Sequence, residues 1–102
     1  MVQATMVYNA KITLIQRETQ QVAIAELRIW KVGKSKHYLE GFKYSLFCIL
    51  KESGDVLIGF DNHRPKGHHL HLNEIEASYD FRSIDQLVDD FWDEVSKRGF
   101  IL

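Results

Sequence analysis

Residues 42–51 read FKYSLFCILK, and this stretch decides the fold. Apolar residues recur at every second position: Phe42, Tyr44, Leu46, Cys48 and Leu50. That period predicts a strand with one face toward a core. Because Cys48 is the only cysteine, no disulfide can form within the chain, and we expect a buried, unreactive thiol.

Alternating runs flank this strand on both sides. Residues 8–17 and 22–31 predict an earlier hairpin, followed by a basic surface loop over residues 32–40. Downstream, the turn cluster Ser53-Gly54-Asp55 precedes a strand over residues 56–60. Leu70 and Leu72 alternate with His69 and His71, which predicts a short fifth strand.

The C-terminal part predicts an amphipathic helix. One apolar stripe has helical spacing: Ile84, Leu87, Val88, Phe91, Trp92 and Val95. Ser83 with Gln86 forms a candidate capping box, and Gly99 suits the helix end. We therefore expect an α+β fold, in which four to five mainly antiparallel strands pack one face against this helix.

Length and composition frame the function. With 102 residues, the chain suits a single domain over residues 1–102. No run resembles a secretory signal or a membrane span, which predicts a cytoplasmic protein with no membrane partner. Ten Lys and Arg face six Asp and Glu up to Asn73, whereas eight acids face Arg82 alone over residues 74–94. A polyanion would therefore be drawn to the strand side.

Four of the five histidines lie in residues 60–71, FDNHRPKGHHLH. On a strand, His69 and His71 point the same way, while Leu70 and Leu72 anchor the opposite face. Pro65 and Gly67 predict a sharp turn that brings Arg64 and Lys66 close to the imidazoles.

One interpretation of this stretch is metal-independent cleavage of an RNA phosphodiester. His69 and His71 would be the acid–base pair, with Arg64 and Lys66 stabilising charge on the phosphorus. Asp61 would orient one imidazole. The remaining polar side chains, Asn62, His63 and His68, are candidate substrate contacts.

Three further interpretations stay open. His-x-His with a nearby Asp suits a transition metal, but the following residues depart from the metallo-β-lactamase and cupin patterns. We therefore expect no metal or other cofactor. The cations would equally serve non-catalytic binding of nucleic acid or protein. The stretch could also be a solvated loop without a role.

The same stretch resembles the TumE family of small bacterial toxins. Six residues match that family's motif position by position: Asp61, Asn62, Lys66, Gly67, His69 and His71. Three depart from it, since Phe60 replaces a tyrosine, Pro65 a glycine and His68 an acid.

The resemblance extends over most of the chain, through the early strands and the helix start. It implies the toxin of a two-gene toxin–antitoxin system, acting on RNA or translation. A cognate antitoxin is the implied partner, RNA is a candidate substrate, and a homodimer is a candidate assembly. Without the family's acid beside the histidine pair, only Asp61 remains to orient an imidazole.

Overall fold

The computed structural model describes residues 4–64 and 66–102. Its first strands are β1 (Thr5–Gln16), β2 (Val22–Lys31), β3 (Phe42–Leu50) and β4 (Val56–Asp61). The short strands β5 (His69–Leu72) and β6 (Ile75–Ser78) follow, then the helix α1 (Ile84–Lys97) and the final strand β7 (Phe100–Ile101). The predicted turn residue Pro65 lies outside the described residues.

All seven strands form one antiparallel sheet in the order β6-β5-β4-β3-β2-β1-β7. The expected α+β class with one C-terminal helix on the sheet is confirmed. The expected count of four to five strands is wrong. β6 was missed because it has only four residues, all of them exposed, which is too short a run to show a period. β7 was missed because a strand of two residues shows no period.

The core lies between α1 and one face of the sheet. Leu46, Cys48 and Ile58 are fully buried from the sheet, and Leu87 and Phe91 from the helix. The predicted burial of Cys48 is confirmed, and burial raises the pKa of its thiol to about 11. No helix in the described part of the chain is long and apolar enough to cross a membrane.

The opposite face of the sheet, here called the open face, carries the alternate residues of the same strands. Trp30 and Arg28 of β2 lie opposite Lys43 and Ser45 of β3. Ser45 in turn lies opposite Asp61 of β4. The side chains of these five residues are partly buried or exposed, whereas that of His69 on the neighbouring strand is buried. The open face can therefore be reached by a ligand.

Candidate functional site

Strand β5 places His69 and His71 together on the open face. Leu70, between them, lies opposite Phe60 and packs against the core, so the strand cannot rotate without exposing apolar surface. The two imidazole rings lie 5.1 Å apart between centroids and are nearly perpendicular, at 77°. The predicted shared face of the two histidines is confirmed.

His69 is held through both ring nitrogens. Its Nε2 lies 3.0 Å from Oδ1 of Asp61, the residue directly opposite on β4. Its Nδ1 lies 2.9 Å from the carbonyl oxygen of Gly67. A carbonyl and a carboxylate both accept hydrogen bonds. Both ring nitrogens of His69 therefore face acceptor oxygens, and these two contacts fix the orientation of the ring.

Gly67 fixes the position of that carbonyl. Its φ of +72° lies in the left-handed region, where a side chain would be strained although open space surrounds the Cα. Its amide donates to the carbonyl oxygen of His63 at 3.2 Å, which closes a tight turn before β5. The turn predicted from Gly67 thus supports the orientation of His69.

His71 lies beside Glu76, a residue that the sequence did not suggest. The hairpin of β5 and β6 puts the two opposite each other, with His71 Nδ1 3.8 Å from Glu76 Oε2, beyond hydrogen-bond distance. Lys66 donates to the other carboxylate oxygen of Glu76, and this hydrogen bond lowers the pKa of that carboxyl group. Lys66, predicted as a cation of the site, therefore lies on the His71 side.

The signal for Glu76 was the pair Asn73-Glu74. Asn tolerates the left-handed conformation that a two-residue hairpin turn requires, and Asn73 has a φ of +57°. A turn at that pair brings Leu72 opposite Ile75 and His71 opposite Glu76. The short connection was overlooked because no long alternating run follows it.

Phe47 and Gly59 form an apolar floor beside His71. In the sheet, Gly59 lies opposite His71 of β5 on one side and opposite Phe47 of β3 on the other. A Cβ at Gly59 would lie 2.5 Å from Cε1 of Phe47. The phenyl ring therefore covers the backbone of Gly59, and any side chain there would displace it.

The loop before β5 presents His63 and Arg64 to solvent. The backbone amide of His63 donates to Asp61 Oδ1 at 3.2 Å, so the loop also helps to fix that carboxylate. Arg64 lines a surface pocket of about 420 Å³ together with Lys36 and His37. Neither side chain has a described contact with His69 or His71, so Arg64 lies at the rim.

Asn62 and His68 have structural contacts away from the histidine pair. Asn62 is 3% exposed; its side chain accepts from the amide of Tyr44 at 3.0 Å and donates to the carbonyl of Phe42 at 2.7 Å. These bonds tie the loop to β3. Both the oxygen and the nitrogen of the Asn62 side chain are therefore already hydrogen-bonded within the protein.

His68 points toward the helix side of the sheet. Its ring stacks on Phe81 at 4.8 Å and on Tyr44 at 5.6 Å. Its Nδ1 lies 2.7 Å from the hydroxyl of Tyr44, and its Nε2 lies 3.0 Å from Glu40. Burial raises the pKa of Tyr44, so the hydroxyl keeps its proton and can donate it to His68.

The structure thus brings Asp61, His69 and His71 together, with Lys66 nearby. Ligand atoms of the three residues all lie within 4.8 Å of one another. Chemically, this centre offers an anchored imidazole, a second imidazole and a carboxylate on one accessible face. Such a set can transfer protons or hold a metal ion.

A comparison with protein families identifies one match to this chain. The model of the family described as Toxin TumE matches residues 2–99, which is nearly the whole length. No curated protein and no solved structure matches the chain. The matched range includes strands β1 to β6, the helix and the histidine centre. The chain therefore belongs to the TumE toxin family.

Proposed function

We propose that this toxin cleaves RNA phosphodiester bonds without a metal ion, and that His69 and His71 transfer the protons. The observation that carries the proposal is the pair of imidazoles on one face, 5.1 Å apart, of which one is anchored by Asp61 and Gly67. Cleavage of RNA needs a base and an acid within a few ångströms of one phosphate. The histidine centre supplies both.

His71 is the base and His69 the acid in this scheme. The side chain of His71 is 29% exposed and that of His69 10%, so His71 is the easier of the two for a 2′-hydroxyl to approach. His71 takes the hydroxyl proton, the 2′-oxygen attacks phosphorus, and the bond to the 5′-oxygen breaks. His69 gives its Nε2 proton to that oxygen, which takes the place of Asp61 Oδ1 beside the same nitrogen. The products carry a 2′,3′-cyclic phosphate and a 5′-hydroxyl, and exchange with water restores both histidines.

The remaining residues position the substrate or the catalytic groups. Asp61 is a positioning residue, since it acts through His69. Lys66 donates to Glu76, and an RNA phosphate can compete with Glu76 for its ammonium group. Arg64 and His63, exposed in the loop, contact flanking phosphates. Asn62 and His68 hold the loop in place rather than contact RNA.

A cognate antitoxin is the proposed protein partner, because a toxin must be neutralised in the cell that makes it. The toxin role follows from the family. Within the proposal, the antitoxin blocks access of RNA to the open face. Co-expression with a cognate antitoxin should restore growth to cells that express the toxin.

The first prediction concerns RNA cleavage in the presence of EDTA. Purified protein without a histidine tag should cleave RNA to 2′,3′-cyclic phosphate ends, detected by mass spectrometry of the fragments. Loss of an acid or base typically costs about 10²–10⁴-fold in rate, so His69→Ala and His71→Ala should each fall by that factor while RNA affinity is kept. His37→Ala, an exposed histidine outside the centre, is the matched control.

Two results would contradict the proposal. Intact RNA after incubation with folded wild-type protein would exclude this cleavage activity. Full growth inhibition by His69→Ala and His71→Ala would favour a toxin that binds without cleaving. In that case Arg64→Ala and Lys66→Ala should weaken binding most at low salt, because phosphate contacts are salt-dependent.

A further inference from the structure

The centre of Asp61, His69 and His71 has the residue types and spacing of a metal site. Their ligand atoms lie within 4.8 Å of one another, on neighbouring strands β4 and β5. Tetrahedral zinc, with bonds of about 2.0–2.2 Å, separates its ligand atoms by roughly 3.4 Å. The 3.0 Å pair of Asp61 and His69 already approaches that spacing. Since the ligand atoms lie up to 4.8 Å apart, His71 needs a side-chain shift of roughly 1.4 Å to complete it.

The contact of His69 with Gly67 orients the ring for such an ion. Metal-bound imidazoles commonly donate their other N–H to a carbonyl or carboxylate, which fixes the tautomer. Here Nδ1 donates to the carbonyl of Gly67 at 2.9 Å, and Nε2 faces the carboxylate of Asp61. In a neutral ring the Nε2 lone pair would face a negative oxygen. A metal ion bound between the two atoms would remove that repulsion.

Glu76 lies next to His71 and adds an acceptor beside this candidate metal site. Its Oε2 lies 3.8 Å from Nδ1 of His71, close enough to orient that ring after a small adjustment. Lys66 holds the other oxygen of the same carboxylate. His69 is therefore hydrogen-bonded to an acceptor on the loop, and His71 has an acceptor nearby on β6.

We propose that Asp61, His69 and His71 bind a divalent transition-metal ion such as Zn²⁺, and that the ion inhibits the toxin. Two imidazoles and one carboxylate favour zinc and similar ions over Mg²⁺ or Ca²⁺, which prefer oxygen ligands. The inhibitory half rests on the proposed RNA cleavage. An imidazole nitrogen bonded to a metal carries no proton and has no lone pair to accept one. The bound ion therefore removes both the acid and the base.

The binding half is tested by calorimetric titration of ZnCl₂ into tag-free protein that has been stripped with chelator and desalted. Wild type should bind one ion. Asp61→Asn, His69→Ala and His71→Ala should each weaken binding by at least tenfold, whereas His37→Ala should bind as wild type does. Urea unfolding of each variant checks that it is folded. Absence of binding, or binding that all three variants retain within twofold, overturns the proposal.

The inhibitory half is tested by the rate of RNA cleavage with and without one equivalent of Zn²⁺. The ion should reduce the wild-type rate at least tenfold, and EDTA should restore it. Faster cleavage with zinc would overturn inhibition. If RNA stays intact in EDTA and in zinc, the proposed cleavage fails and inhibition fails with it, whereas the calorimetric titration still decides whether the metal site exists.

Discussion

His68 stands where the motif that this chain resembles has an acid, and the structure gives it a different place from the neighbouring histidines. Its ring lies between Tyr44 and Phe81 on the helix side of the sheet. Asp61 meets His69 instead, at 3.0 Å from across the strand pair. Although residue 68 is not an acid in this chain, His69 therefore still has a carboxylate partner.

The residue-scale prediction is that His68→Ala lowers the free energy of unfolding by about 1–3 kcal/mol. The change removes the ring stack and leaves the hydroxyl of the buried Tyr44 without its acceptor. Urea denaturation followed by circular dichroism measures the effect. His63→Ala, an exposed histidine of the same loop, should change the free energy by less than about 0.5 kcal/mol. Equal stability of His68→Ala and wild type would contradict the structural role.

At the scale of elements, α1 follows its sequence signals closely. Leu87, Phe91 and Val95 of the predicted stripe are buried. Ser83 caps the start, accepting from the amide of Gln86 at 3.1 Å. The capping box is only half formed, because the side chain of Gln86 donates to Asp90 at 2.7 Å. The cap therefore depends on the hydroxyl of Ser83.

The element-scale prediction is that Ser83→Ala destabilises the protein by about 1 kcal/mol, because an amide of the first turn loses its acceptor. Ser83→Asp should restore most of the loss, since a carboxylate also accepts from that amide. Ser96→Ala, an exposed serine inside the same helix, is the matched control and should be neutral or slightly stabilising. The midpoint of urea unfolding distinguishes them. Loss of stability in Ser96→Ala equal to that in Ser83→Ala would argue against the cap.

At the scale of the whole molecule, one helix covers one face of a seven-stranded sheet, and three protonated groups lie on that covered side. Burial raises the pKa of Cys48 to about 11 and raises the pKa values of Tyr44 and Tyr79. Their unfolded values are about 9 and 10. The folded protein thus keeps protons that the unfolded chain gives up in alkali.

The whole-molecule prediction is therefore a loss of stability as the pH rises. The contribution of Cys48 should be complete below pH 9 and should decline as pH rises toward about 11; that of Tyr44 should begin to decline above pH 10. Urea unfolding at pH 8, 9.5 and 10.5 measures this slope. Cys48→Ala should show a shallower fall between pH 8 and 10.5, whatever its stability at pH 8. A slope unchanged by that substitution would contradict the assignment to the thiol.

The sequence by itself determined the elements whose residues repeat with a regular period. Alternation over residues 42–51 located β3, and the stripe from Ile84 to Val95 located α1, because burial of one face selects apolar residues at that period. The same alternation put His69 and His71 on one face. The toxin family was also visible in the motif of residues 60–71.

Only the tertiary structure decided which residues meet across strands. The contact of Asp61 with His69 depends on the register of β4 and β5. Register results from turns and core packing that join residues distant along the chain, so local spacing does not reveal it. The partners of His68, which are Tyr44 and Glu40, also lie far from it along the chain, so the sequence did not reveal them.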